Sequence, residues 1–126
     1  MYHTLHSLDQ WMIDPNDYDQ PAFHTPNLNN LDAASKGKLY QAQIDDYCGL
    51  VCKKIAGYVD GLTAGMLEEQ PPDCPWTRMT LLLAQFRHLH THMGMLMGFI
   101  VAETGQWPRV LGLQGEFPQG EYDPFF

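Results

Sequence analysis

The sequence predicts an all-α fold: a helix bundle of three main helices followed by an irregular Gly/Pro-rich C-terminal tail. Three observations carry that prediction. Apolar residues recur at three- and four-residue steps through three separate segments, the spacing of a helix face rather than of a strand. Proline-containing breaks at Asp14-Pro15 and Pro71-Pro72 interrupt the periodic segments, because a proline removes a backbone donor and pushes the residue before it out of the α region. The last periodic stretch, from Thr77 to Glu103, would span roughly 40 Å as a helix at about 1.5 Å per residue, the length of a bundle element. With 126 residues the chain is read as one domain, 1–126, large enough to bury a core.

The first helix is expected over residues 1–13, where Leu5, Leu8, Trp11 and Met12 share a face and Asp14-Pro15 forms the stop. Residues 16–31 are rich in Pro, Asn and Asp and show no apolar period. Such a long connection points to a binding or lid role, or to packing through Phe23. The second helix is expected from Ser35, a residue type that caps helices, to about Val59. Its stripe is Tyr40, Ile44, Tyr47, Val51, Ile55, Tyr58 and Leu62, with Gly57 and Gly61 weakening its end. Thr63 can cap one further turn through Leu67. The third main helix starts at a Thr77 cap and presents Met79, Leu82, Leu83, Phe86, Leu89, Met93, Leu96, Met97 and Ile100 as a broad apolar face. Gly105 stands just past its end. The tail, 106–126, has no period and is expected to be pinned by Trp107, Leu111, Phe117, Phe125 and Phe126.

Charge narrows the function classes. Seven Lys and Arg against 15 Asp and Glu give a formal net charge of -8. Lys36 with Lys38, and Lys53-Lys54, are the only basic concentrations, so the footprint of a nucleic-acid binder is missing. Arg and His interrupt the longest apolar run short of a membrane span, and the start lacks the pattern of a secretory signal. Three cysteines form no disulfide framework and fit reduced thiols. The expectation is a soluble, cytoplasmic protein acting on a small molecule, with neither nucleic acid nor membrane as partner.

The stretch Arg87-His88-Leu89-His90-Thr91-His92-Met93-Gly94 carries the chemistry. His88 and His92 stand four apart, so a helix places both imidazoles on one face with Cβ atoms about 5–6 Å apart. Two neutral imidazoles at that separation can close on one divalent metal ion; the plain alternative is a pair of helix histidines on a partly exposed face. His90 points away and faces solvent. A third ligand must come from elsewhere, and His3 is the candidate, with His6 one turn later as its rival. Gly94 would admit a close helix neighbour. His24 reads as a solvated loop residue. Cys48 and Cys52, also four apart, read as small hydrophobes more readily than as a metal or redox pair, and Cys74, between prolines, as inert. Met93, Met95 and Met97 cannot share a helix face. Asp45-Asp46 and Glu68-Glu69 read as solvated surfaces, while Asp9 is a weaker candidate for orienting a ligand histidine.

The pattern His88, His92 and Gly94 resembles the last-helix motif of the DinB/YfiT-like superfamily. The first segment is similar to that family's second helix, with His3, Asp9 and Trp11 as the histidine, acidic residue and aromatic. The run from Ser35 through Leu62-Thr63 to Leu67 resembles its third helix and short appended turn. The resemblance covers residues 2 to about 107. It implies a four-helix bundle in which His3, His88 and His92 hold nickel, zinc or iron, with positions open to water or substrate. It also implies a thiol-dependent transferase or a metal-dependent hydrolase; a non-catalytic bundle, serving as a binding or interaction module, is the competing class, and a truncated homologue a third. The spacing to Trp11 favours His3 over His6. Met95 departs from the family, which commonly has a polar residue after the glycine. The family's first helix has no counterpart in these residues, and a bundle short of one wall exposes an apolar groove. That predicts a homodimer.

Overall fold

The computed structural model describes residues 1–112 and 115. Four helices follow in order: α1 (Tyr2–Trp11), α2 (Gln41–Gly61), α3 (Ala64–Glu68) and α4 (Arg78–Thr104), with no extended strand among the described residues. The all-α expectation holds. The chain divides into two compact units, Met1–Leu89 and His90–Phe126, with the boundary inside the continuous α4.

In the first unit, α1 opens on the Met1 carbonyl, which accepts from the backbone N–H of Thr4 and Leu5 at 3.0 and 3.1 Å. It closes at Trp11, short of the Asp14-Pro15 stop. Its buried stripe is Tyr2, Leu5, His6 and Asp9, at i, i+3, i+4 and i+7. Two of the four are polar, so apolar periodicity alone selects a different face. Leu5 and Leu8 still reach the core, but Trp11 is exposed beside Trp76, ring centroids 6.4 Å apart. The core joins Tyr2, Leu5, Tyr47 and Val51, with Leu8, Phe23, Leu28, Leu39, Ile44, Cys48 and Ile55 packed around them. Val51 is 1% exposed, and burying such a side chain stabilises by about 1.5–3 kcal/mol.

Side-chain pairs fix how α1 runs against α2. Tyr2 meets Tyr47 with ring centroids 5.8 Å apart, and Asp9 pairs with Lys54 at 2.6 Å. Both pairs have the same sequence offset, so the two helices are parallel. A parallel neighbour cannot be reached by a short turn; the chain must travel back along the bundle first. That return is the segment 12–40, which explains its length. It is built from hydrogen-bonded turns, with His24 N–H donating to the Pro21 carbonyl at 2.8 Å, Leu28 to Thr25 at 3.0 Å and Asn30 to Asn27 at 3.0 Å. Phe23 packs against the core as expected.

The start of the second helix needs correcting. Ser35 caps no helix: its hydroxyl donates to the Pro26 carbonyl at 3.3 Å and accepts from the Gly37 N–H at 3.1 Å. Gly37 lies so close to Thr25 and Leu28 that a Cβ there would run into Thr25 Oγ1. The helix instead begins at Gln41, where the Gln43 side chain accepts from the Tyr40 N–H at 3.1 Å. Of the expected stripe, Tyr47 and Val51 are buried and Ile44 and Ile55 pack beside them, while Tyr40 is exposed.

Thr63 caps α3 as expected, accepting from Met66 N–H at 3.4 Å. Thr77 opens α4, its hydroxyl accepting from Thr80 N–H at 3.3 Å and its carbonyl from Leu81 N–H at 3.0 Å. The broad apolar face expected on this helix is largely open, as a bundle short of one wall would leave it. Only Leu81 and Gln85 are buried, whereas Leu83 and Phe86 are 59% and 61% exposed. Within this unit an open apolar groove of about 400 Å³ runs between Leu8, Met12, Ile55, Leu82, Leu83 and Leu89.

In the second unit α4 continues to Thr104 and stops at Gly105, whose φ of 69° is the left-handed conformation of a helix C-terminus and whose N–H donates to Val101 at 2.9 Å. Leu96 and Phe99 are exposed, and a Cβ at Gly94 would meet nothing within 4 Å. Trp107 and Leu111, expected to pin the tail, are exposed. Phe117, Phe125 and Phe126 lie outside the described residues.

Candidate metal centre

Three histidines converge where α1 meets α4. His3 Nε2 lies 3.0 Å from His88 Nε2, their rings nearly perpendicular at 87°. His92 follows His88 by one turn of the unbroken α4, and one donor nitrogen from each of His3, His88 and His92 lies within 4.8 Å of the other two. All three are half-buried. Each is delivered by regular helix, so backbone geometry sets the Cβ positions.

The protonation pattern suits a metal. His3 Nδ1 sits 2.6 Å from the Asn29 carbonyl oxygen. A carbonyl only accepts, so Nδ1 carries the hydrogen, and in the neutral ring Nε2 presents its lone pair toward His88. At 3.0 Å the two nitrogens are close enough to share a proton or a cation. A divalent metal would be held by one ring nitrogen from each histidine, with a further position left for water or substrate. These three histidines can hold a metal ion.

His6 does not join them. It is 2% exposed and turns toward the 12–40 segment, its Nδ1 accepting from the Asn29 side-chain amide at 3.3 Å. Its ring stands edge-to-face with Tyr2 and Tyr18 and 5.0 Å from that of His24. Burial, then the neighbouring His24, pushes the His6 pKa below its ordinary value despite the opposing pull of Asp9. His24 is not a solvated loop residue either: its Nδ1 and the Tyr2 hydroxyl are hydrogen-bonded at 2.7 Å. Burial, followed by Tyr18 and Asp9, pushes the Tyr2 phenol up to about 12, which keeps it protonated.

Asp9 orients no ligand histidine. It is buried and accepts from the Tyr47 hydroxyl at 2.8 Å and from Lys54 Nζ at 2.6 Å. Burial, with Tyr18 and Asp9 as neighbours, pushes the Tyr47 phenol far above its usual range. Lys54 and Tyr47 are partners that the sequence did not single out for Asp9, and no spacing rule reveals them, because they come from a different helix. Asn29 was also missed, since its contact to His3 is made by the backbone. The three cysteines are free: Cys48 is half-buried, Cys52 exposed and Cys74 buried. Burial, then contact with Cys52, raises the Cys48 thiol above its ordinary value. His90 is exposed, as expected.

Among the described residues no helix is long and apolar enough to cross a membrane. No family model, curated protein or solved structure matches the chain.

Proposed function

We propose that this chain is a metal-binding helical bundle of the DinB/YfiT-like type, in which His3, His88 and His92 hold one divalent transition metal ion, nickel, zinc or iron. The observation that carries the reading is the 3.0 Å approach of His3 Nε2 to His88 Nε2, with the His3 Nδ1–H committed to a carbonyl. Half-burial of the three rings leaves coordination positions accessible. An ion so held lowers the pKa of a bound water or thiol and supplies a nucleophile near neutral pH. The chain's own part is to hold three neutral imidazoles in place and, at a net charge of -8, to favour small substrates over polyanions. The activity we assign is a thiol-dependent transferase or a metal-dependent hydrolase of the cytoplasm, where Cys48, Cys52 and Cys74 stay reduced.

Elemental analysis of the purified protein tests this directly. About one equivalent of a divalent transition metal is expected, most of it lost in His92→Ala. Protein that comes metal-free and takes up neither nickel nor zinc overturns the reading. Loaded protein should turn over low-molecular-weight thiols with electrophilic acceptors; metal uptake without turnover favours the non-catalytic class. A second feature favours self-association: Leu83, Leu96 and Phe99 are exposed on α4, and a second copy of the chain would cover such residues.

A further inference from the structure

Asn29 touches α1 twice. Its carbonyl oxygen accepts from His3 Nδ1 at 2.6 Å, and its side-chain amide donates to His6 Nδ1 at 3.3 Å. His3 and His6 are neighbours one turn apart, so a single loop residue grips both rings. The His6 end of the grip is buried; the His3 end lies beside His88.

The loop around Asn29 is closed on itself. Asn27 has φ 65°, a left-handed conformation that asparagine tolerates better than most residues. The two turns overlapping there, Thr25 to Leu28 and Asn27 to Asn30, aim the Asn29 carbonyl at α1. Ser35 then ties back to Pro26, and Gly37 packs directly on Thr25 and Leu28 without room for a side chain.

We propose that segment 25–37 seats the metal centre: Asn29 is the positioning residue for His3, and metal binding and closure of this segment are one linked equilibrium. This rests on the metal reading above. A carbonyl on Nδ1–H selects the ring tautomer, fixes the ring plane and makes Nε2 a better donor. Because coupling is reciprocal, an ion on His3 tightens the segment as much as the closed segment tightens the ion.

Two measurements on the intact chain test this. In wild-type protein, zinc should slow amide exchange at Leu28 and Asn30, whose N–H groups close the turns, and leave α3 unchanged. Gly37→Ala, which pries the segment open without touching a ligand, should weaken zinc binding about 10- to 100-fold. In cobalt(II)-loaded wild type, the His3 Nδ1–H should appear as a paramagnetically shifted proton protected from exchange, and Gly37→Ala should lose that protection. Should Gly37→Ala fail to fold, Asn29→Ala, which removes only the grip on His6, serves in its place with the same expected direction. Zinc bound by the wild type with no change of exchange in 25–37, or bound as tightly by the variant with the shifted proton intact, overturns the coupling and leaves the metal reading standing. Wild-type protein that binds neither zinc nor cobalt overturns both.

Discussion

Ser7 donates a hydrogen bond to Gln85 across 2.9 Å, one helical turn along α1 from the contact between His3 and His88. Beyond it, Arg78 Nη1 donates to the Ile13 carbonyl at 3.3 Å. As residue numbers rise along α1 and just past its end, those of the partners fall, so the first unit's part of α4 runs antiparallel to it. The same short helix runs parallel to α2. α1 is therefore a strut with two faces: His3 and Ser7 toward α4, and Tyr2 and Asp9 toward α2.

Metal should stabilise the fold as well as occupy it. A ligand that binds only the native state at about 100 times its Kd adds about 2.7 kcal/mol. Removing metal with a chelator should lower the melting temperature of loaded wild type and leave that of His88→Ala unchanged. Calorimetry of both proteins before and after chelation reads this, and equal responses would count against His88 as a ligand.

Tyr47→Phe should destabilise the protein by about 1.5–3 kcal/mol, the usual worth of a hydrogen bond to a charged group. The ring keeps its packing on Tyr2 and Phe23, so the loss reports the hydroxyl alone, its bond to Asp9 together with its interaction with Tyr18. Urea unfolding should show a lower midpoint with an unchanged slope. A neutral substitution would mean that Lys54 alone satisfies Asp9.

Stability should fall on the acid side through His6. Its folded pKa lies below the ordinary 6.5, so the neutral ring is favoured in the fold. That contribution is complete above the unfolded value and is lost as pH falls below it, because the unfolded chain takes up the proton more readily. Melting curves from about pH 7.5 to about pH 5.5, recorded with chelator, should slope less steeply in His6→Gln than in wild type. At the alkaline end the sign reverses. Tyr2 is raised from 10.0 to about 12, so its contribution is complete below the unfolded value and fades as pH climbs past it.

Self-association is the expectation from the exposed apolar residues of α4. Light scattering should report about twice the 14.4 kDa chain mass, and Leu83→Glu should shift it toward the single-chain value. A compact monomer at micromolar concentration would oppose the dimer.

Helix periods and punctuation made much of this fold legible. Thr63 and Thr77 cap helices and Gly105 ends one because those signals act within a turn of where they stand. Ser35 misled because a hydroxyl that caps a helix serves equally well in a loop, and Gly37's need for space depends on Thr25 and Leu28, well back along the chain. The apolar face of α4 was legible as a face, but what it meets was not. Periodicity shows that Leu83 and Phe86 share a surface, not that anything covers it. At the site, the four-residue step of His88 and His92 was readable from the chain. The choice of His3 over His6 was not settled by spacing, since the two share a helix and differ only in which neighbour each faces. Lys54, Tyr47 and Asn29 belong to tertiary packing and leave no local trace.

The contact between His3 and His88 joins residues 85 positions apart, so it ties the two ends of the first unit together. Closing so long a loop carries an entropic cost with nothing gained until both ends are in place, and contacts of that span tend to form late in folding. The pairing of α1 with α2 and the turns of 12–40 need shorter closures and can come first. A tie formed after the transition state changes how fast the chain comes apart, not how fast it comes together. Metal at this junction should therefore lower the unfolding arm of a chevron plot and leave the refolding arm where it was. The ion would act as a latch, lengthening the lifetime of the folded chain without hastening its birth.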